Sequence, residues 1–430
     1  MIAIMLIVFV VALVVGLPIA IAIGFASVVP NLIDPNFVTD VPYVIRSMVS
    51  GIDMFTILAL PLFMLSGDIM SKGGISEKLF NVFALVMGKK TAGMPIALVL
   101  TCLFFGAISG SGPATCAAVG SMVIPILLGL GYDKKFCGAL LATAAGLAVI
   151  IPPSLPFVTI CVVTGASIGE MMIGGVLPGC LIALFLCIYC YIYCKKNGED
   201  KGKIKANYDR IRSKGLWNIF KESIWALLFP VLTLGGIYGG IVTPTEAACI
   251  SVYYALIVSI FIYKEITWKD IPGFFRGAVK TYAPICILLA VARAFAKVLT
   301  MTGAPKMLAD FIVTNFTSKY LFLAVVIVIL FLIGMVMDCG PANVILAPIL
   351  LPVAQAFGMD TIHFLMIMVT CLAIGFVTPP FGMNLFVASP IVEVNSTEIG
   401  KKAIPFIFAN LMAIFIIAFV PSVTLLLLGR

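Results

Sequence analysis

Residues 91–132 form a run of 42 positions without a single Asp, Glu, Lys or Arg. Other such runs include 1–33, 136–169, 171–194, 223–245 and 403–429. A helix needs about 20 apolar residues to cross a bilayer. Most of these runs therefore read as one span each, and 91–132 is too long for one. Only helices and closed barrels satisfy their backbone polar groups in lipid. The apolar residues are continuous rather than alternating, which excludes a barrel. Composition agrees: 62% of the 430 residues are hydrophobic and 11% are charged, with a mean hydropathy of +1.20. A soluble fold cannot hide that much apolar surface. Nucleic-acid binding and soluble enzyme chemistry are disfavoured together, and the expected class is an all-α polytopic membrane protein. The first segment, Met1 to Val29, has no basic leader and is longer than a signal core, so it reads as the first span rather than a cleaved signal.

The net charge of +8 is mostly local. Nine Lys and Arg fall between Lys195 and Lys221, against Glu199, Asp200 and Asp209. This long polar stretch reads as a cytoplasmic loop by the positive-inside rule. Five crossings on either side of it place both termini outside, with segment 75–89 short and amphipathic enough to lie along the membrane. Cysteines fall mostly inside spans and read as small hydrophobes, with neither a metal site nor disulfides expected.

The loop divides the chain into 1–194 and 222–430, and the two parts match. Gly106, Gly112, Pro113 and Ala114 correspond to Gly334, Gly340, Pro341 and Ala342 at a shift of 228. Pro125 answers Pro352, and Gly131-Tyr132-Asp133 answers Gly358-Met359-Asp360. Gly146 with Pro152-Pro153 answers Gly375 with Pro379-Pro380, and Gly74 answers Gly303. A repeat with an odd number of crossings is inserted upside down, and inverted repeats are the architecture of secondary transporters. Each repeat is expected to hold a re-entrant hairpin, about 92–130 and 321–357, and a broken helix, about 136–165 and 361–390.

Irregular backbone at membrane depth is tolerated only where it lines a cavity or binds something. Four clusters of breakers qualify. Ser109-Gly110-Ser111-Gly112-Pro113-Ala114-Thr115 reads as the tip of the first hairpin, against a plain small-residue packing interface. Gly146 to Ser154, ending in Pro152-Pro153-Ser154, cannot continue a regular helix, against a simple kink. Asp338-Cys339-Gly340-Pro341 reads as the tip of the second hairpin. Asp338 follows an 18-residue charge-free stretch, and an intramembrane carboxylate is a functional candidate unless it sits at a membrane end. Gly375 to Asn384 supplies Thr378 and Asn384 beside freed carbonyls. Pairing each tip with the broken helix of its own half gives two sites. Ser109, Ser111, Gly146 and Ser154 face one; Asp338, Gly340, Thr378 and Asn384 face the other. Carbonyls at helix C-ends suit Na⁺, and half-helix N-ends suit an anion. The implied activity is Na⁺-driven uptake of an anionic solute. A passive channel is the alternative, but it needs a continuous polar lining and these polar residues cluster at two tips.

At this point the chain resembles the large membrane subunit of the tripartite ATP-independent periplasmic (TRAP) transporters, nearly end to end. The resemblance rests on Leu58-Ala-Leu-Pro-Leu-Phe63 with Gly67, the Ser109–Thr115 tip, Ile151-Pro-Pro-Ser154, Thr243-Pro-Thr-Glu246, Gly358-Met-Asp360 and Thr378-Pro-Pro-Phe-Gly-Met-Asn-Leu-Phe386. It implies an elevator-type secondary transporter in the bacterial cytoplasmic (inner) membrane. It implies Na⁺ held at the tips and breaks, by Ser109, Ser111, Gly112, Gly146, Pro153, Asp338, Gly340, Gly375 and Thr378, with no other cofactor. Substrate, an organic acid, is then expected between them, near Ser154, Pro341, Asn384 and Arg293. Two partners follow from the same resemblance: a periplasmic substrate-binding protein, and a small four-helix membrane subunit, expected to be separate because the chain starts at the large subunit's first span. Arg293 and Lys297 depart from the family pattern. Arg293 reads equally as a fork for a substrate carboxylate, or as a residue that snorkels to an interface or makes a structural ion pair with Asp68 or Asp310. Lys297 reads as a snorkelling residue, His363 as a satisfied helix residue, and Thr243-Pro-Thr-Glu246 as a scaffold turn.

Overall fold

The computed structural model describes residues 2–35, 37, 39–213, 215–303, 307, 318–379 and 382–430. Pro380, Phe381 and Asp310 lie outside the described residues. Among those described, regular structure is entirely helical. The first part of the chain runs α1 (Ile2–Val14), α2 (Ile19–Ile33), α3 (Val41–Ile52), α4 (Ala59–Lys72), α5 (Ile75–Met87), α6 (Gly93–Ser109), α7 (Gly112–Gly129), α8 (Lys134–Ala145), α9 (Leu155–Thr164), α10 (Ile168–Gly174) and α11 (Val176–Asn197). The polar stretch forms α12 (Lys201–Ser213). The remainder runs α13 (Leu216–Tyr238), α14 (Pro244–Ile257), α15 (Ile271–Met301), α16 (Lys319–Gly334), α17 (Cys339–Ala356), α18 (Thr361–Gly375), α19 (Met383–Val392), α20 (Ser396–Phe419) and α21 (Ser422–Leu425).

Eight helical segments among the described residues are long and apolar enough to cross a membrane. The protein is a multi-pass membrane protein. Several other apolar helices stop short of a full span, including α6, α9, α16, α18 and α19. They end where the sequence carries its Gly, Pro and Ser clusters, because interior proline removes a backbone donor and clashes with the preceding turn.

The sequence correspondences become matched local structures. Gly131 and Gly358 both adopt positive φ, +93° and +70°, and Asp133 and Asp360 then cap α8 and α18 through the amides of Phe136 and Ile362. An L-residue at such a φ is disfavoured, whereas glycine adopts it freely. Gly74 and Gly303 recur with φ of +73° and +72°. The structure adds a pair the sequence hides: Gly165 and Glu393, 228 positions apart, both close a short helix in the left-handed conformation. Ser167 and Asn395 then cap the next helices.

Helices α4 and α14 pack as a pair, as do α3 and α15, forming one framework. Hairpin α6–α7 packs on α8, and α16 and α17 pack on α18. The second segments cross over. Helix α7 lies on α19, and α17 lies on α9. Each hairpin is thus clasped by the first segment of its own half and the second segment of the other. Thr243 forms a capping box with Glu246, so this turn is built as its composition predicts. His363 is buried, its Nε2 at 2.9 Å from the Ile417 carbonyl oxygen.

Candidate functional site

The first tip is closed by its own hydroxyls. Ser109 Oγ and Thr115 Oγ1 are 2.7 Å apart, and both side chains are buried. Gly110, at φ +61°, turns the chain from α6 into α7. The second tip opens α17 with Asp338 at the N-cap, its side chain making no capping hydrogen bond. No ion pair to Asp338 occurs among the described residues.

Between the tips lies a cavity of about 330 Å³. Ser111, Gly112 and Pro113 line one wall, and Asp338, Gly340 and Pro341 line the opposite one. Leu155, Pro156 and Thr159 of α9, and Phe376 and Met383 at the second break, close it further. Four helices, α7, α9, α17 and α19, direct their N-terminal residues at this space. A helix N-terminus carries unpaired amides and a partial positive charge, so the cavity favours an anion. Gly110 at the C-end of α6 and Phe376 at the C-end of α18 also line the cavity, and Ala145 O at the end of α8 lies beside Gly112; carbonyls at helix C-ends favour a cation.

Not every candidate from the sequence reaches this wall. Ser111, Gly112, Asp338, Gly340 and Pro341 line it. Ser109 stands behind Ser111 and hydrogen-bonds within the tip. Ser154 is buried and donates to the Val149 carbonyl at 2.6 Å, closing the first break rather than facing the cavity. Pro153 presents its carbonyl oxygen beside Gly110. Gly146 lines a separate small gap with Ala373 and Asn410. Thr378 donates to Ile374 O at 2.8 Å and closes the second break in the same way as Ser154 closes the first. Gly375 packs directly on Gly334.

Asn384 differs from the expected grouping. Its Nδ2 donates 2.9 Å to Ala142 O of α8, and its Oδ1, buried and without a partner, faces Gly112. It therefore sits with the first tip, not the second. The cause is the crossing of α19 over to α7, which a half-by-half pairing does not anticipate.

Arg293 does not line the cavity; Leu289, one turn earlier on α15, does. The guanidinium donates to Val163 O at 3.3 Å and lies 3.3 Å from Met54 Sδ. The suggested partner Asp68 faces Gly277, sixteen residues back on the same helix. At 1.5 Å per residue that is about 24 Å away, so this ion pair does not form. Lys297 reaches Ser50 Oγ at 3.3 Å.

Sequence reasoning missed the third wall. Thr281, Pro284, Ile285 and Leu288 of α15, with Met64 of α4, complete the enclosure. Pro284 inside a long helix was the available signal, since proline there frees the carbonyl a turn before it.

A cavity between broken helices in a polytopic helical protein defines a membrane solute transporter. A solved transporter from Alcanivorax borkumensis, titled as having an unusual topology, shares the fold with a TM-score of 0.59, over 89% of each chain at 13% identity. Residues 6–423 match the family "Tripartite ATP-independent periplasmic transporter, DctM component", and the chain belongs to that family of large TRAP permeases. It is 40% identical over 97% of its length to an isethionate TRAP transporter permease protein of Oleidesulfovibrio alaskensis, of which it spans 65%. It is 33% identical to a C4-dicarboxylate TRAP transporter large permease protein of Rhodobacter capsulatus, over 96% of this chain and 95% of that one.

Proposed function

We propose that this protein imports an organic acid by secondary active transport coupled to Na⁺. The observation that carries the reading is the convergence of four helix N-termini on one 330 Å³ cavity whose only charged wall residue among the described residues is Asp338. The N-termini attract an anion, and an unneutralised Asp338 carboxylate repels one. Na⁺ beside Asp338 removes the repulsion. Ion binding thereby precedes and licenses substrate binding, which is the logic of coupling. The relatives named above carry isethionate and C4-dicarboxylates in their names, both organic anions.

The remaining ligands follow the tips and breaks. Ser109, Ser111, Gly112, Gly146 and Pro153 would supply hydroxyl and carbonyl oxygens for one ion. Asp338, Gly340, Gly375 and Thr378 would serve a second. Pro341 faces the substrate directly, with Ser154 and Asn384 supporting the wall from behind. Arg293 has no carboxylate partner among the described residues, so an acid entering from its end of α15 would provide one.

The two matched halves are read as inverted repeats, 1–194 and 222–430, joined by the basic cytoplasmic stretch 195–221. Both hairpins and both broken helices move together against the framework of α3, α4, α14 and α15, as an elevator in the bacterial inner membrane. A periplasmic binding protein delivers substrate, and a small membrane subunit braces the framework.

The test is uptake into proteoliposomes containing the permease with its partners. An inward Na⁺ gradient should drive accumulation of the acid above its outside concentration, and replacing Na⁺ with K⁺ should abolish accumulation. Equal uptake in both buffers removes the coupling, and flux that never concentrates solute makes the protein a channel.

A further inference from the structure

The basic stretch between the halves is more than a topology signal. Helix α12 is amphipathic: Ile204, Asn207 and Ile211 are buried, while Lys201, Lys203, Lys205, Arg210 and Arg212 are exposed. Its inner face packs on α5, and a cavity of about 500 Å³ lies between its flank and the far end of the first hairpin. One side is apolar, built by Pro125, Ile126 and Leu130 of the hairpin. The other carries Lys203, Asn207 and Arg210, at positions i, i+4 and i+7 of α12.

Two details indicate what the cavity lacks. Arg210 donates to Asn207 Oδ1 at 3.1 Å, which fixes the amide with its Nδ2 inward. That Nδ2 is buried and has no acceptor, while Asn207 as a whole is 9% exposed. Asn207 lines the cavity between Lys203 and Arg210, and among the described residues this wall carries donors and no carboxylate, which suits an anionic oxygen. The nearby acids do not cancel the cations. Lys203 meets Asp200 at a long 3.7 Å, and Asp209 is exposed and does not line the cavity. No carboxylate pairs with Arg210 among the described residues.

The position selects the ligand. Helix α11 leaves its charge-free run at Cys194, and Trp217, 76% exposed, follows α12. Aromatic residues of this kind mark the level of lipid headgroups. A half-apolar, half-cationic cavity at that depth matches a molecule with a phosphate and an acyl chain.

We propose that this junction binds the phosphate of an anionic phospholipid, held by Lys203, Asn207 and Arg210 with its acyl chain along Pro125, Ile126 and Leu130. The lipid would tie the basic stretch to the foot of the first hairpin. This site stands apart from the transport cavity, so its test does not depend on the coupling reading.

The test uses the full chain purified in detergent, with lipid retention read by native mass spectrometry. Phosphatidylglycerol and phosphatidylcholine with identical acyl chains are offered separately, and inorganic phosphate is tested by thermal shift. The expected result is several-fold greater retention of phosphatidylglycerol. The double variant Lys203→Ala with Arg210→Ala should fall to the phosphatidylcholine level, and Asn207→Leu should fall partway. Lys195→Ala with Lys196→Ala removes equal charge outside the cavity and should retain the preference. Equal retention of both lipids, or an unchanged double variant, overturns the proposal. So does an equal loss in the Lys195/Lys196 control, which would make the attraction diffuse. Stabilisation by millimolar phosphate equal to that by phosphatidylglycerol would assign the site to free phosphate and overturn the lipid.

Discussion

The two hairpin tips share a backbone plan and differ in chemistry. The first, Ser109 to Thr115, is neutral, and its hydroxyls satisfy one another. The second, Asp338 to Ala342, carries a carboxylate open to the cavity. Packing behind them differs too. Gly106 of α6 lies against Ala148, whereas its counterpart Gly334 of α16 lies against Leu372 and Gly375 of α18. The lesson is that correspondence in backbone leaves side chains free to specialise. One tip presents neutral hydroxyls, and the other presents a carboxylate.

The packing difference makes the largest prediction. A Cβ added at Gly375 would sit 1.9 Å from the Gly334 carbonyl oxygen, and backbone cannot move aside as a flexible side chain can. At the matched Gly146 the nearest atom is Ala373 O at 3.7 Å, an ordinary contact. Gly375→Ala should cost about 3 kcal/mol or more, at the upper end of overpacking penalties, and should sharply reduce folded yield. Gly146→Ala should stay within about 1 kcal/mol of wild type. Size-exclusion profiles and thermal unfolding in detergent check both. Equal behaviour would mean that the two breaks pack alike and that the asymmetry is illusory.

Next comes the charge at the second tip. Asp338→Asn keeps the shape and removes the carboxylate. It should weaken apparent Na⁺ affinity in uptake about tenfold or more, the equivalent of about 1.4 kcal/mol. Ser111→Ala at the first tip should cost only a few-fold, in keeping with about 0.5–1.5 kcal/mol for one neutral hydrogen-bonding group. Na⁺ titration of initial uptake rates reads both. A larger effect at Ser111 would reverse the roles assigned to the two tips.

The sequence was most informative where the backbone must do something unusual. The breaks at Gly146–Ser154 and Gly375–Asn384 and the tip at Gly110 were legible because glycine and proline report local geometry. Asn384 was read as a polar ligand in the second break, but its placement against Gly112 depends on α19 crossing to α7, a contact between residues 272 positions apart. Long-range packing leaves no local mark. Arg293 shows the same limit. Its charge stood out in an apolar segment, yet rotation about α15 decides that Leu289 lines the cavity while the guanidinium turns to Val163. Thr281 and Leu288 were invisible for the opposite reason, being unremarkable residues on a face that only packing defines.

The feet of the two hairpins sharpen the contrast a final time. Below the first, Lys134 pairs with Glu393 at 2.9 Å and Lys135 with Glu398 at 2.8 Å. Below the second, Arg430 alone bridges Glu170 and Asp360, at 2.9 and 3.3 Å. Hydrogen bonds from Lys134 and Lys135 hold the Glu393 and Glu398 carboxyls below their ordinary value of 4.5. A carboxyl lowered in the folded state stabilises the fold above its unfolded pKa, and that contribution is lost as pH falls through the folded pKa. The first foot should therefore loosen in acid. Both pairs are solvent-exposed and screened by salt, so the effect is small. Wild type should melt slightly above Glu398→Gln near neutral pH, and the gap should close as pH drops below 4.5. A gap that persists unchanged in acid would show that Glu398 acts through packing rather than through its charge.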